Sequence, residues 1–224
     1  MQKLDTRKEA LLESLVREYV RTAEPVGSSL LAGKAGLDVS AATIRNELAE
    51  LESAGYLAQP HTSAGRVPTE RAYRYFIEHL ANAKRSPIKI RDEVRRVPAR
   101  DEHERLRQAA NMLANEASEC VFVSFGDGEM HIAGFGTLFS KPEFNAHDVA
   151  KTLGAALDHL QEMVQSLTSS HEPRALIGSD NPLHRQYSVV YASPGTHIRI
   201  GFFGPMRMDY EREIGLLQAF NDAF

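Results

Sequence analysis

The segment SAATIRN, residues 40–46, places an arginine and an asparagine shortly after three small residues. Arg45 could hydrogen-bond the O6 and N7 atoms of guanine, and Asn46 could bond the N6 and N7 atoms of adenine. The small side chains of Ala42 and Thr43 would allow close approach to a groove. Ser40 and the free amides of a first helical turn can hold a phosphate. This combination predicts contacts with double-stranded DNA.

A helix must position these side chains. Ile44, Leu48 and Leu51 recur every four and three residues, which predicts an amphipathic helix that ends at Gly55 and turns residue 45 outward. The segments before it predict a longer helix, a short helix capped by Ser28, and the turn DVS. This is the order of a helix-turn-helix, whose second helix reads bases with its N-terminal residues. A solvated face on an ordinary Ser-capped helix explains this one helix equally well.

Residues 61–70, HTSAGRVPTE, supply turn chemistry between the extended-looking YLAQP and a further amphipathic helix. The length and composition predict a two-stranded wing with Gly65 near its tip, where glycine would permit a positive φ. Arg66 would project beside the recognition helix and reach phosphate or the minor groove, with His61, Thr62 and Ser63 nearby. The alternative is a surface hairpin with an incidental arginine.

The motifs EPVGS, VSAATIRNELAELE, GYL and QPHTSAGRVPT, spread over residues 24–76, closely resemble the N-terminal domain of the HrcA family. These are bacterial heat-inducible transcription repressors of chaperone operons. The resemblance implies a winged helix-turn-helix domain that binds an inverted-repeat operator as a dimer, and regulation by a GroEL-type chaperonin. The DNA-binding residues that we assign are Ser28, Ser40, Ala42, Thr43, Arg45, Asn46, His61, Thr62, Ser63 and Arg66.

The remainder of the chain mixes helical and β-type patterns, which predicts an α+β domain. The β-type runs are CVFVSF, MHIAGFGTLF, RALIG, YSVVYAS and HIRIGFFG, and a long helix is expected over residues 147–167. HIAGFGTLFSKPEF and IRIGFFGPMRMDYERE resemble the family's GAF-like C-terminal motifs, in an abbreviated form without the inserted dimerisation domain of longer members. We therefore expect a DNA-binding domain at 1–83, a linker at 84–100 and a GAF-like regulatory and dimerisation domain at 101–224.

Charge alone does not identify a nucleic-acid-binding protein here. The net charge is −4, and residues 1–100 carry 17 Lys/Arg against 13 Asp/Glu. Most of that positive excess lies in residues 81–100, with 7 basic and 2 acidic side chains, so the first eighty residues are nearly neutral. The DNA-binding prediction therefore depends on pattern rather than on a basic patch.

Other functional classes find little support in the sequence. The nine histidines show no metal-binding spacing, no phosphate-binding loop motif occurs, and neither a cofactor nor a catalytic residue is assigned. The single cysteine, Cys120, precedes an apolar run and is expected to be a buried structural thiol. These missing motifs predict that the protein is not an enzyme. One cysteine, no export signal and no apolar run of membrane-spanning length predict a cytoplasmic protein with no membrane partner.

Two questions stay open at this level. The alternative function is a small-molecule-sensing GAF-type regulator, which a pocket lined by polar groups in the C-terminal domain would favour. An inverted repeat also requires a two-fold axis. The expected surface for a homodimer is the apolar β-type run CVFVSF with MHIAGF, and the alternative is the alanine- and leucine-bearing side of a helix over residues 101–118.

Overall fold

The computed structural model describes residues 4–34, 39–62, 64–80, 88–126, 128–144 and 154–224. The chain divides into two compact units, Met1–Ala83 and Lys84–Phe224. Each unit has its own buried apolar residues.

The described residues of the first unit form four helices and one short hairpin. The helices are α1 (Thr6–Thr22), α2 (Ser28–Lys34), α3 (Ala41–Ser53) and α4 (Glu70–Leu80), and strands β1 (Leu57–Ala58) and β2 (Val67–Pro68) lie between α3 and α4. Asp5 caps α1 by accepting a hydrogen bond from the Lys8 amide at 2.9 Å, and Ser40 caps α3 in the same way. Local capping thus sets where the two longest helices of this unit begin.

The helices of the first unit pack around the residues that the periodicity selects. Ile44, Leu48 and Leu51 of α3 are buried, as predicted, and so are Tyr73 and Phe76 of α4. The side of α1 that meets them is formed by Leu11, Leu12, Leu15 and Val16, all fully buried. Burial of such side chains contributes about 1.5–3 kcal/mol each. This core fixes which face of α3 remains outside.

The second unit begins with a helix where a linker was expected. Helix α5 (Ile88–Arg95) lies within residues 84–100, and it contacts the last helix of the chain. Ile90 and Val94 are buried, and the Arg95 guanidinium donates to the carbonyl oxygen of Asp222 at 2.7 Å. Prolines and charges indicate a linker, but a short helix can form between them when its buried side chains find a partner. Here that partner is the last helix of the chain, which lies far away in sequence.

A five-stranded antiparallel sheet forms the centre of the second unit, and the predicted α+β class is confirmed. Its strands are β3 (Cys120–Ser124), β4 (Met130–Ala133), β5 (Arg174–Ile177), β6 (Tyr187–Ala192) and β7 (Arg199–Pro205), in the spatial order β4-β3-β7-β6-β5. Four of the five predicted β-type runs coincide with strands along most of their length. Both edges of the sheet are strands of four residues.

The run MHIAGFGTLF is only partly a strand. After Ala133 the chain turns at Gly134, whose φ is 78°, and continues as helix α7 (Phe135–Phe139). A Cβ at Gly134 would lie 2.2 Å from the carbonyl oxygen of Glu119, so only glycine fits this turn. The long helix expected over residues 147–167 is described only from residue 154. There it comprises a helical stretch at 154–158 and helix α8 (Leu160–Ser166).

Helices cover both faces of the sheet. Helices α6 (Glu102–Ala117) and α9 (Tyr210–Asn221) contact each other and the central strands, and the Tyr210 hydroxyl hydrogen-bonds Ser188 Oγ at 2.9 Å. On the other face, Phe122 and Tyr187 pack in a cluster with Leu160 and Val164 of α8. Phe122 lies over Gly201, whose missing side chain leaves room for the ring.

This layering corrects the alternative dimer surface on α6 and the CVFVSF part of the expected one. Strand β4, which contains most of MHIAGF, is an edge strand that is only partly buried, so that part of the expected surface stays a prediction. Strand β3 contains most of CVFVSF, and it is an inner strand whose five residues are all buried. The alanine and leucine side of α6 is also buried, including Leu106, Ala110 and Leu113. These apolar residues serve the interior of one chain, because the sheet needs covering on both faces.

Two buried glutamates lie at one end of the sheet. Glu213 of α9 is fully buried, and neither of its carboxylate oxygens has a hydrogen-bond partner among the described residues. Glu119 is buried and forms an ion pair with Lys141. Burial raises the pKa of Glu213 well above its ordinary value, and the nearby carboxylates of Glu119 and Asp209 raise it further, whereas Lys141 opposes them. Glu213 therefore favours its protonated form in the folded chain.

We expect Glu213→Gln to flatten the pH dependence of stability. The unfolded chain releases this proton near the ordinary glutamate pKa of 4.5, whereas the folded chain retains it. Folding stability is therefore fully present below that pH and falls as the pH rises toward the raised pKa. At pH 8 the variant should exceed the wild type by about 1–3 kcal/mol in unfolding free energy, and the two should converge near pH 4.5.

Denaturant unfolding across pH 4.5–8.5 measures this effect. Glu172→Gln is the control, because Glu172 is exposed. A wild-type profile parallel to that of Glu213→Gln would show that Glu213 is ionised in the folded chain.

Candidate nucleic-acid interface

The first two turns of α3 expose the side chains that could contact bases. Ala42, Arg45 and Asn46 are exposed, whereas the intervening Ile44 is buried. Ser40 Oγ accepts a hydrogen bond from the Thr43 amide at 3.2 Å, and it lies 3.0 Å from Thr43 Oγ1. The structure thus brings half of the predicted DNA-binding residues together at one end of α3.

Basic residues from other elements neutralise the acidic residues of α3. Glu47 is buried against Arg7 in an ion pair, and Glu50 Oε2 lies 2.9 Å from Lys8 Nζ. Hydrogen bonds to Glu50, and then to Asp5, raise the pKa of the Lys8 ammonium group. The carboxylates therefore project less negative charge toward the start of the helix.

Arg45 is the only basic residue of α3. It forms no ion pair with any residue in the ranges that the structure describes, and its side chain is exposed. The exposed N-terminal half of α3 is therefore cationic and polar, which suits a polyanion. Of the acids on this helix, Glu47 lies two residues beyond Arg45, and the others lie farther along.

The hairpin that follows α3 has hydrogen bonds within the described part of its loop. Leu57 pairs with Pro68 and Ala58 with Val67. Inside the loop, the Gln59 side-chain amide donates to the carbonyl oxygens of Thr62 at 3.0 Å and of Ala64 at 2.9 Å. One glutamine therefore shapes the segment between the strands.

The structure describes two of the three loop residues that were predicted to contact DNA. His61 and Thr62 are exposed, so both are available to a partner. Ser63 lies outside the described residues. Ser28 begins α2 and is half-buried, and its side chain is therefore less accessible than those of the loop.

Arg66 does not project from the hairpin, and that part of the sequence prediction was wrong. Its Nε donates to Glu52 Oε2 at 2.7 Å, and its side chain is only 17% exposed. Its backbone N–H and C=O both pair with Val26, each at 2.9 Å. Arg66 precedes β2, rather than occupying the tip, and this pairing directs its side chain to the end of α3.

Gly65 is required by a close approach rather than by a positive φ. It is not among the glycines with a left-handed conformation. A Cβ at this position would lie 2.4 Å from the carbonyl carbon and 2.5 Å from the carbonyl oxygen of Val26. The backbone of residue 65 therefore contacts the segment before α2 directly, and any side chain would separate them.

Sequence reasoning missed three contributors to this region, namely Val26, Glu52 and Gln59. Val26 and Arg66 are forty residues apart, and Glu52 and Arg66 are fourteen apart. No local spacing reveals such pairs. The acidic residue at the end of α3 and the arginine after the glycine were visible as opposite charges, but a helix end and a hairpin must be placed in space before they can be paired.

The single cysteine is a buried thiol. Burial raises the pKa of the Cys120 thiol to about 12, and nearby Glu119 adds to the effect, so this thiol is protonated near neutral pH. Across the described ranges, His, Cys, Asp and Glu nowhere form a group of three or more that could hold a metal ion. In the same ranges, every helix is too short or too polar to cross a membrane.

We expect Gly65→Ala to destabilise the first unit. The new methyl group would meet the backbone of Val26, which cannot move aside like a flexible side chain. The cost should be about 1–3 kcal/mol in unfolding free energy, as for other overpacked sites. Gly27→Ala is the matched control, because its Cβ would meet only Ser29 Oγ at 4.0 Å. Equal losses from the two substitutions in denaturant unfolding would contradict the close-approach explanation.

The chain is similar to heat-inducible transcription repressors in sequence. The family model described as the HrcA protein C-terminal domain matches residues 60–214. The heat-inducible transcription repressor HrcA of Pelotomaculum thermopropionicum is 59% identical over 78 residues, which is 35% of this chain and 22% of that protein. The repressor of the same name from Thermobifida fusca is 57% identical over 81 residues, or 36% of this chain and 24% of that protein.

The chain thus matches about a quarter of the length of these curated relatives. A crystal structure of a hypothetical protein, solved at 2.2 Å resolution, superposes with a TM-score of 0.78 and covers 99% of this chain and 100% of its own. Its sequence identity of 18% shows a shared fold alone. Since the family model spans most of the chain, the protein belongs to the HrcA family.

Proposed function

We propose that this protein is a DNA-binding transcriptional repressor of heat-shock (chaperone) operons. The observation that carries the proposal is the exposed, cationic N-terminal half of α3, whose opposite face is held by the core. The names of the relatives, heat-inducible transcription repressors, support the same role. A repressor of bacterial operons acts in the cytoplasm, and that location is part of the proposal.

In this proposal the first unit is a winged helix-turn-helix domain. Helices α2 and α3 form the helix-turn-helix, and the β1–β2 hairpin is the wing. Helix α3 enters the major groove, where Arg45 reads guanine and Asn46 reads adenine. Ala42 and Thr43 permit close approach, and Ser40 lies where a phosphate meets the first turn of the helix.

The wing and α2 contribute contacts to the backbone of DNA. His61 and Thr62 are exposed on the hairpin loop, where they can meet phosphate or the minor groove. Ser63 and Ser28 belong to the same proposed set. These contacts position the protein on the duplex, whereas the sequence preference comes from α3.

The second unit is proposed to be a GAF-like regulatory and dimerisation domain. A single antiparallel sheet covered by helices on both faces supports this assignment. A surface pocket lined by polar side chains, among them Arg100, Glu104 and Arg107, lies at the start of α6 and is compatible with small-molecule sensing, the alternative function. The relatives' names favour the repressor instead. Aromatic and aliphatic side chains fill the space between the sheet and α8, among them Phe122, Phe144 and Tyr187.

The proposed partners are an inverted-repeat operator, a second copy of the chain and a chaperonin of the GroEL type. The first two are linked, because two half-sites require two identical reading heads related by a two-fold axis. The chaperonin follows from the family resemblance, through folding or refolding of the repressor.

We expect Arg45→Ala to weaken binding to operator DNA by about 1–3 kcal/mol and to leave binding to random DNA almost unchanged. Arg45→Lys should lose nearly as much discrimination, because an ammonium group keeps the charge but lacks the planar fork that pairs with guanine. Fluorescence anisotropy with both DNAs at one salt concentration measures this. Equal losses on the two DNAs, with recovery in the lysine variant, would make Arg45 a phosphate contact.

We expect the homodimer to persist in a fragment that lacks residues 1–84, because the partly buried edge strand β4 lies in the second unit. Multi-angle light scattering on the fragment and the full chain at matched concentrations measures this. A monomeric fragment under conditions where the full chain is dimeric would place the two-fold axis in the first unit.

A further inference from the structure

Three contacts made by Gly65 and Arg66 hold the hairpin of the first unit against the segment before α2 and against α3. Gly65 lies against the backbone of Val26, and the backbone of Arg66 pairs with the same residue in both directions at 2.9 Å. The third contact is the ion pair between Arg66 Nε and Glu52 Oε2 at 2.7 Å. The end of the hairpin loop is therefore held both to the segment before α2 and to the end of α3.

The ion pair joins two elements with different tasks in the proposed function. Glu52 lies in the last turn of α3, the helix that carries Arg45 and Asn46 at its other end. Arg66 lies just before β2, at the end of the loop that exposes His61 and Thr62. Since the arginine is 17% and the glutamate 33% exposed, the guanidinium is largely withdrawn from solvent.

We propose that Arg66 is a positioning residue, which sets the wing relative to the recognition helix by holding Glu52, and that it does not itself contact DNA. This inference rests on the proposed function. Phosphate or groove contacts then belong to the loop residues His61 and Thr62. The arginine acts by fixing where they stand when α3 lies in the major groove.

Substitution of Glu52 separates this role from a direct phosphate contact by the sign of its effect. If Arg66 binds phosphate, removing the carboxylate of Glu52 frees the guanidinium and removes a repulsive charge, so DNA affinity rises. If Arg66 positions the wing, Glu52→Gln loosens the hairpin and operator affinity falls. We expect roughly a three- to tenfold loss for Glu52→Gln and a similar loss for Arg66→Ala.

The salt dependence gives a second, independent measurement. Loss of a phosphate contact lowers the slope of log affinity against log salt concentration by about one unit. A positioning residue leaves that slope unchanged, and so we expect parallel lines for the wild type and Arg66→Ala. A slope reduced by about one unit, or a higher affinity in Glu52→Gln, would overturn the proposal.

The exchanged pair, Glu52→Arg with Arg66→Glu, tests the contact itself. We expect it to recover at least part of the affinity lost in Arg66→Ala, because the ion pair can form in reverse. If Arg66 instead binds phosphate, the exchanged pair should recover none of the lost affinity, because a glutamate at position 66 cannot bind phosphate. The matched control is Arg74 and Glu70 of α4, an ion pair at 2.7 Å with side chains 33% and 29% exposed. Glu70→Gln should leave operator affinity unchanged.

Hydrogen exchange without DNA keeps this test separate from the proposed function. The Arg66 amide donates to the carbonyl oxygen of Val26, and loosening the hairpin exposes it. We expect clearly faster exchange at this amide, by about threefold or more, in Glu52→Gln than in the wild type or Glu70→Gln. An unchanged exchange rate would show that the ion pair does not hold the hairpin in place, and it would overturn the proposal. If exchange is faster in Glu52→Gln but the wild type binds no DNA, the ion pair does hold the hairpin in place and the repressor function is rejected.

Discussion

The backbone pair between Val26 and Arg66 is the contact on which the candidate interface depends. It connects the segment before α2 with the hairpin after α3, and so links the position of the hairpin to that of the helical pair. The absence of a side chain at Gly65 makes this approach possible, since a Cβ would lie 2.4 Å from the Val26 carbonyl carbon. Backbone contact of this kind gives geometry that flexible side chains alone could not supply.

Electrostatics of the first unit follow from the same packing. Each of Glu47, Glu50 and Glu52 faces a basic residue from another element, at the start of α1 or at the hairpin. These basic residues are therefore already paired with carboxylates of the same unit, and the net charge of this region says little about DNA binding. What matters is which cation remains exposed, and on α3 that residue is Arg45. A nearly neutral segment can thus present a locally positive surface.

The second unit buries its most apolar run in the middle of the sheet. A run such as CVFVSF would be an aggregation hazard at a sheet edge. The chain places it on an inner strand, covers it on both faces, and leaves edge strands of only four residues. This arrangement also means that strand pairing offers little area for association. Exposed apolar side chains outside the strands, such as Phe139 on α7, which is 48% exposed, are better able to supply apolar contact.

The predictions from sequence succeeded where one element determines its own structure. The spacing of Ile44, Leu48 and Leu51 reports the buried face of α3 because the helical period converts sequence intervals into direction. Helix α5 was missed because its two buried residues gain their partner from α9, more than a hundred residues later. Arg66 was predicted to project from the wing toward DNA, and its pairing with Glu52 was missed for the same reason. Turn chemistry locates a hairpin, but it does not indicate what lies beside it. Local patterns therefore predict which residues leave the core, and tertiary contacts decide which of those remain available to a partner.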